Sequence, residues 1–310
     1  MRDEKPKVIV LTGPTASGKS ALAVELALYF GGEIFNADSM QVYRGMDVGT
    51  AKPTIVERKE VPHHLLDVVN PDEHFDAAKY RSLAVPQLQD AASRGKACFV
   101  VGGTGLYIKT LLGGLLECPP ANPELREELG RTWEERGSLF LHEKLKRLDP
   151  ASAHKIHPND RFRIIRALEI IHTTRQRLSS LVQRHGFRDN PFQALKICME
   201  LNREELYARI NQRSLRMIEG GLVMETEGLL KNGYAPDLKP MKSLGYRHVV
   251  KYLKGACTLD EATYELQRDT RRYAKRQLTW FGADPEMVWI KPKDMAGIIK
   301  KISAFQTDNP

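Results

Sequence analysis

Nowhere in its 310 residues does the chain hold an apolar run approaching the length of a membrane span, which excludes a helical membrane protein. The charged start Met1–Lys5 does not resemble a signal peptide, so the cytoplasm is the expected compartment. Cysteine is scarce. Cys98, Cys118, Cys198 and Cys257 lie far apart with no C-x-x-C, indicating neither a zinc site nor a disulfide framework, and they read mostly as small apolar fillers. His63 and His64 lack ligand partners at helical spacing and read as structural. There is no internal repeat and no low-complexity segment. What remains, at 42% hydrophobic and 28% charged residues, is the composition of a soluble globular protein with ample length for one large domain or two smaller ones.

The most informative stretch is Gly13, Pro14, Thr15, Ala16, Ser17, Gly18, Lys19 and Ser20. It follows the apolar run Val8–Leu11 and opens a segment with Leu22, Leu26 and Leu28 at helical spacing. That order of strand, G-x-x-x-x-G-K-[ST] loop and helix is a P-loop. Its glycines let backbone N–H groups turn onto phosphate oxygens, and the helix N-terminus adds positive potential. Lys19 reaches the outer phosphates, and Ser20 is placed to ligate Mg²⁺. A di- or triphosphate ligand is therefore expected.

Glu33–Asp38 reads as a second strand, ending at Asp38-Ser39-Met40-Gln41. A helix over about Ala77–Ala92 precedes a third strand, Ala97–Val101, which runs into Gly102-Gly103-Thr104-Gly105. Strands alternating with helices imply a parallel α/β sheet, in which ligands bind beyond the carboxyl ends of the strands. The P-loop, Asp38 and Thr104 are thus predicted to meet in one crevice. Asp38 could hold Mg²⁺ through water, act as a general base, or simply cap a turn. Thr104 could donate to a phosphate or leaving-group oxygen, or cap the helix that follows.

The character changes near Cys118. Pro119-Pro120 breaks the chain, Asn122-Pro123 caps a helix, and only helices are expected through Arg131–Arg136 and Arg161–Leu181. Strand signal returns at Ala194–Leu201, Asn202-x-x-Glu205 starts another helix, and Thr258-x-x-Glu261 starts the last long one. This divides the chain into a core over 1–119, a helical insertion over 120–192, and the rest of the core over 193–310. The formal charge of +8 points to an anionic partner. Between Lys155 and Arg188 stand eight Lys/Arg against only Asp160 and Glu169. A second group, Arg268, Arg271, Arg272, Lys275 and Arg276, falls on one predicted helix.

The ordered set Gly13–Ser20, Asp38–Arg44, Gly49–Pro53, Pro62–Leu65, Gly102–Tyr107, Pro158–Asp160, Arg166–Glu169, Leu244–Arg247 and Tyr273–Phe281 closely resembles bacterial tRNA dimethylallyltransferase, also called tRNA isopentenyltransferase. The resemblance spans about residues 7–281. It implies a P-loop NTPase-like fold and transfer of a prenyl group from dimethylallyl diphosphate, with Mg²⁺ as cofactor. The acceptor would be N6 of the adenosine just 3′ of the anticodon, in tRNAs reading codons that begin with U. By resemblance, Asp38 is the general base, Thr104 lies near the bridging oxygen, and Arg213 contacts the diphosphate.

The resemblance also assigns contacts with the tRNA anticodon stem-loop. These are Asp38, Ser39, Met40, Gln41 and Thr104; Arg126; Phe162, Arg163, Ile164, Ile165 and Arg166; Lys242, Gly245, Tyr246 and Arg247; and Lys275, Arg276, Gln277, Thr279 and Trp280. Phe162, Tyr246 and Trp280 are candidates to stack on a flipped-out base. A monomer is expected, without a membrane partner. The family commonly carries arginine where this chain has Gly282, and the eukaryotic zinc-finger extension has no counterpart, which favours the bacterial branch. Rival readings are a P-loop nucleoside or nucleotide kinase, an adenylate isopentenyltransferase acting on free nucleotide, and an RNA-stimulated ATPase.

Overall fold

The computed structural model describes residues 5–116 and 118–308; Met1–Glu4 of the charged start lie outside them. The chain forms two compact units, one of Met1–Leu112 with Pro191–Pro310 and one of Gly113–Asn190.

The larger unit is built on six strands: β1 (Lys7–Thr12), β2 (Glu33–Asn36), β3 (His63–His64), β4 (Cys98–Val101), β5 (Gln193–Met199) and β6 (Val288–Ile290). They run parallel in the order β3-β2-β4-β1-β5-β6. Side chains alternate across the pleat, so each apolar run feeds two cores. Val8, Val10, Phe35, Cys98 and Val100 pack on one face, and Ile9, Leu11, Ile34, Phe99 and Ile197 on the other. Fully burying each larger side chain contributes about 1.5–3 kcal/mol. Among the described residues no helix is long and apolar enough to cross a membrane.

Helices Lys19–Phe30, Ala77–Ser93 and Gly105–Gly113 follow the chain order read from the pattern. Thr258 and Glu261 form the expected capping box of helix Leu259–Gly282, and the Asn202 side chain accepts from Glu205 N–H at the start of Arg203–Met217. Two short strands carried no sequence signal. In β3, His64 stacks on Phe35 and its Nε2 meets Glu33 at 2.8 Å, so the histidine pair serves the fold. A π-helical turn, Ile218–Leu222, follows Arg203–Met217 and holds Gly221 at a φ of 99°.

The smaller unit is all helical, with Pro123–Leu148, Pro150–Lys155, Arg161–Thr174 and Leu178–His185 around Leu125, Leu129, Leu141, Leu145, Ile164 and Leu168. Asn122 caps the first helix by accepting from Leu125 N–H, with Pro123 at the first helical position. Within Arg161–Leu181, Arg175 turns left-handed and ends the first helix, and the next starts at Leu178. Buried Asp149 accepts from the N–H and hydroxyl of both Ser152 and Ser179, tying two helices together.

Candidate active site

Beyond the carboxyl ends of β1, β2 and β4 the chain brings three turns together. Gly18, left-handed at a φ of 87°, ends the P-loop and starts its helix. The first N–H groups of that helix have no intrahelical partner, which suits them to an anion. Gly102 packs so close to Ala37 that a Cβ there would lie 2.2 Å from the Ala37 carbonyl carbon. That approach lets Thr104 N–H donate to Ala37 O, while Ser39 N–H donates to Thr104 Oγ1 at 3.0 Å. Asp38 Oδ1 accepts from Met40 N–H at 2.8 Å and from Gln41 N–H at 3.4 Å. Its other oxygen has no hydrogen-bond partner among the described residues.

Two cations face this carboxylate. Lys19 Nζ donates to Pro14 O at 3.3 Å, and its ammonium is pulled down to about 8 by burial and by Arg213, against the opposing pull of Asp38 and Cys198. Arg213, from helix Arg203–Met217, donates to Thr15 Oγ1 at 3.0 Å and to Thr50 O at 3.4 Å; burial also lowers its affinity for its proton. Neither makes an ion pair among the described residues. Tyr273 lies beside them, its phenol held well above the usual range by burial and by Asp38. The Cys198 thiol is pushed up to about 12, chiefly by burial, and is inert.

A cavity of about 290 Å³ opens on Thr15, Asp38, Arg213 and Tyr273, and its walls include Met217, Leu266 and Arg276. A smaller one of about 60 Å³ continues from the same four residues to Lys19, Ser20, Asn36, Gln41 and Gln277. The Ser17 hydroxyl is buried close by without a partner. Ser20 and Asp38 bring oxygen donors to the smaller cavity, the ligand type a hard cation takes. Among the described residues no cluster of three or more His, Cys, Asp or Glu could hold a metal, so Mg²⁺ would fit here only with oxygens of a bound diphosphate.

In the helical unit, Arg126, Arg161, Phe162, Ile165 and Arg166 line a cavity of about 270 Å³. Phe162 is 75% exposed, unusual for a phenylalanine. Glu169, only 1% exposed, accepts from both Arg126 and Arg166 and from Asn122 N–H. Burial pushes that carboxyl up, but these donors outweigh it and keep it ionised below the usual range.

The profile of the IPP transferase family matches residues 41–284. The chain belongs to that family. It is 51% identical, over 304 residues covering 98% of each chain, to tRNA dimethylallyltransferase 2 of Geotalea uraniireducens. It is 52% identical over 287 residues to tRNA dimethylallyltransferase of Geobacter sulfurreducens, covering 93% of this chain and 92% of that one. Two solved structures are similar. The tRNA isopentenylpyrophosphate transferase of Bacillus halodurans superposes with a TM-score of 0.73 at 39% identity, covering 97% of both chains. A eukaryotic dimethylallyltransferase acting on tRNA gives 0.83 at 27% identity, over 98% of this chain and 80% of that one.

Within this IPP transferase, several residues read as RNA contacts prove to be internal. Tyr246 is fully buried and its hydroxyl donates to Glu225 Oε1, so its ring packs the core rather than a base. Ile164 sits in the core of the helical unit, Gly245 is enclosed, and Gln277 is 5% exposed with both amide ends bonded. These are corrections, and the physical reason is shared: a stretch on a helix or turn presents only one face outward. Lys242, Arg247, Lys275, Arg276, Thr279 and Trp280 are exposed, as are Phe162 and Arg163. Arg247 donates to Asp269, which also draws in His248, Arg268 and Arg272. Sequence reasoning missed Glu225, whose carboxylate accepts from the N–H groups of Asp47, Val48 and Gly49 and so shapes the loop before Thr50.

Proposed function

We propose that the protein transfers the dimethylallyl group of dimethylallyl diphosphate to N6 of the adenosine immediately 3′ of the anticodon, in tRNAs reading codons that begin with U, and releases diphosphate. The observation that carries this is the Asp38 carboxylate in one cavity with two cations, Lys19 and Arg213, that make no ion pair among the described residues. Two such cations suit a diphosphate whose charge grows as the C–O bond breaks. The names of the relatives support a prenyl group as cargo and tRNA as its acceptor.

In this reading the C–O bond to the bridging oxygen breaks as the bond from N6 forms, and the N6 proton passes to Asp38, whose second oxygen is open. Thr104 Oγ1 already accepts from Ser39 N–H, which leaves its own hydrogen to donate toward the leaving oxygen. Ser20 would hold Mg²⁺ with the diphosphate, and the ion would supply charge neutralisation of the leaving group. The acceptor base must leave its stack to enter the cavity beside Asp38, which an anticodon loop allows at small cost. Exposed basic side chains bind the phosphates of the stem, and Phe162 offers a stacking face. A tRNA substrate supports a cytoplasmic setting, and a monomer is the proposed state.

The test is transfer of label from dimethylallyl diphosphate into unmodified tRNA with Mg²⁺, beside a tube with labelled ATP and one with AMP as acceptor. Label in tRNA alone is the expected result. ADP formed without prenyl transfer would make the protein a kinase or ATPase, and label in AMP would make it an adenylate prenyltransferase.

A further inference from the structure

Helix Leu259–Gly282 shows two faces within about two turns. Lys275, Arg276, Thr279 and Trp280 are exposed, whereas Tyr273 and Gln277, four residues apart, turn inward onto the P-loop cavity. Gln277 uses its whole amide there. Its Oε1 accepts from Thr15 N–H at 2.9 Å, and its Nε2 donates to Gly103 O at 2.9 Å. Gly103 is matched to it, since a Cβ there would lie 2.2 Å from Nε2. Thr15 in turn accepts Arg213 Nη1 on its hydroxyl.

We propose that Gln277 is a positioning residue of the diphosphate site and not a contact to RNA. It clamps the P-loop at Thr15 to the turn that carries Thr104, and through Thr15 it fixes the guanidinium of Arg213. Held this way, Thr15 N–H is withdrawn from the phosphate, leaving the later N–H groups of the loop and of the helix start as the cradle. The clamp sits on the same helical turn as the exposed basic residues, so RNA held on the outer face and diphosphate held on the inner face share one rigid element. The inference rests on the diphosphate reading of this cavity.

The experiment measures binding of inorganic diphosphate with Mg²⁺, and separately of an anticodon stem-loop, to the wild-type chain, Gln277→Met and Gln277→Glu. Losing both hydrogen bonds in Gln277→Met is expected to weaken diphosphate binding about tenfold while stem-loop affinity stays within about twofold. Gln277→Glu keeps the acceptor for Thr15 but at neutral pH loses the donor to Gly103. Protonation of the new carboxyl restores that donor, so its affinity relative to wild type is expected to recover as pH falls toward about 5. A side chain that only supported the fold would lose and recover stem-loop affinity in parallel with diphosphate affinity, so a loss and recovery confined to diphosphate decides the matter even where Gln277→Met fails to fold. Diphosphate affinity equal to wild type in both variants, or a loss confined to stem-loop binding, overturns the inference. A wild-type chain that binds no diphosphate overturns the site reading itself, and this inference with it.

Discussion

Arg213 Nη1 lies 3.0 Å from Thr15 Oγ1, although 198 positions separate the two residues. The bond carries a cation from helix Arg203–Met217 into the P-loop and sets it across the cavity from Asp38. A P-loop lysine alone offers one mobile charge; the added planar guanidinium, already anchored, offers a second whose direction is fixed before substrate arrives.

Arg213→Gln is therefore expected to lower the single-turnover prenyl-transfer rate by about two to three orders of magnitude. Stem-loop binding should change little, because Arg213 lies inside the cavity. A rate within a few-fold of wild type would remove Arg213 from the reaction.

Asp38→Asn keeps an acceptor for the Met40 and Gln41 N–H groups, so the turn is expected to hold. Turnover should fall by about 10²–10⁴, the range of a lost general base, with tRNA affinity intact. An unchanged single-turnover rate would leave Asp38 as a turn cap only.

Lys19 gives the site a pH signature. In the folded chain its ammonium loses its proton near 8, against 10.5 for the free group. Between those values the unfolded chain binds the extra proton, so the free protein gains stability from Lys19 as pH rises through the window. Diphosphate acts in the opposite sense, since it favours the charged ammonium and must draw a proton in. Its affinity is expected to fall by up to about tenfold per pH unit above 8. Proton uptake measured by calorimetry in buffers of different ionisation heat checks this, and Lys19→Arg should abolish it. Equal uptake in wild type and Lys19→Arg would assign the proton to another group.

The sheet and the crevice were legible because they rest on local signals. Val8–Leu11 and Ala97–Val101 are unbroken apolar runs, as strands buried on both faces must be, and the P-loop has a fixed spacing. Arg213 and Gln277 were not legible in the same way. Each is one polar residue on a long polar helix, and only the packing of that helix against the P-loop decides which side it faces. Tyr246 failed for the converse reason, because an aromatic beside Arg247 suits either a stacking platform or a core. Glu225 gave no signal at all, since its partners are backbone N–H groups of a loop far away in sequence.

Glu169, midway along helix Arg161–Thr174, ties the first turn of helix Pro123–Leu148 to it through Arg126 and Asn122 N–H, and pairs with Arg166 on its own helix. Glu169→Ala removes a satisfied buried carboxylate and is expected to destabilise the protein by about 1–3 kcal/mol in urea unfolding. The carboxyl is held below its ordinary value, so its contribution is present above the unfolded pKa and fades as pH falls through the folded one. Unfolding midpoints that coincide with wild type at neutral pH would show that the two arginines are held by other contacts.

The same geometry sorts the basic residues by what they can give to RNA. Arg126 and Arg166 are committed to Glu169, whereas Lys275 is exposed with no ion pair among the described residues, and Arg163 is exposed with only a 3.4 Å contact to Asp160. Affinity for a stem-loop is expected to fall linearly on a log–log salt plot, because each phosphate contact releases counterions. Lys275→Ala or Arg163→Ala should each reduce that slope by about one while weakening all tRNA sequences alike. Phe162→Ala should behave differently. It removes a stacking face worth about 1–3 kcal/mol and leaves the slope unchanged, because the ring carries no charge. A slope that does not move with Lys275 or Arg163 would make these residues solvated surface. A Phe162 variant that binds as tightly as wild type would take the exposed ring out of the interface.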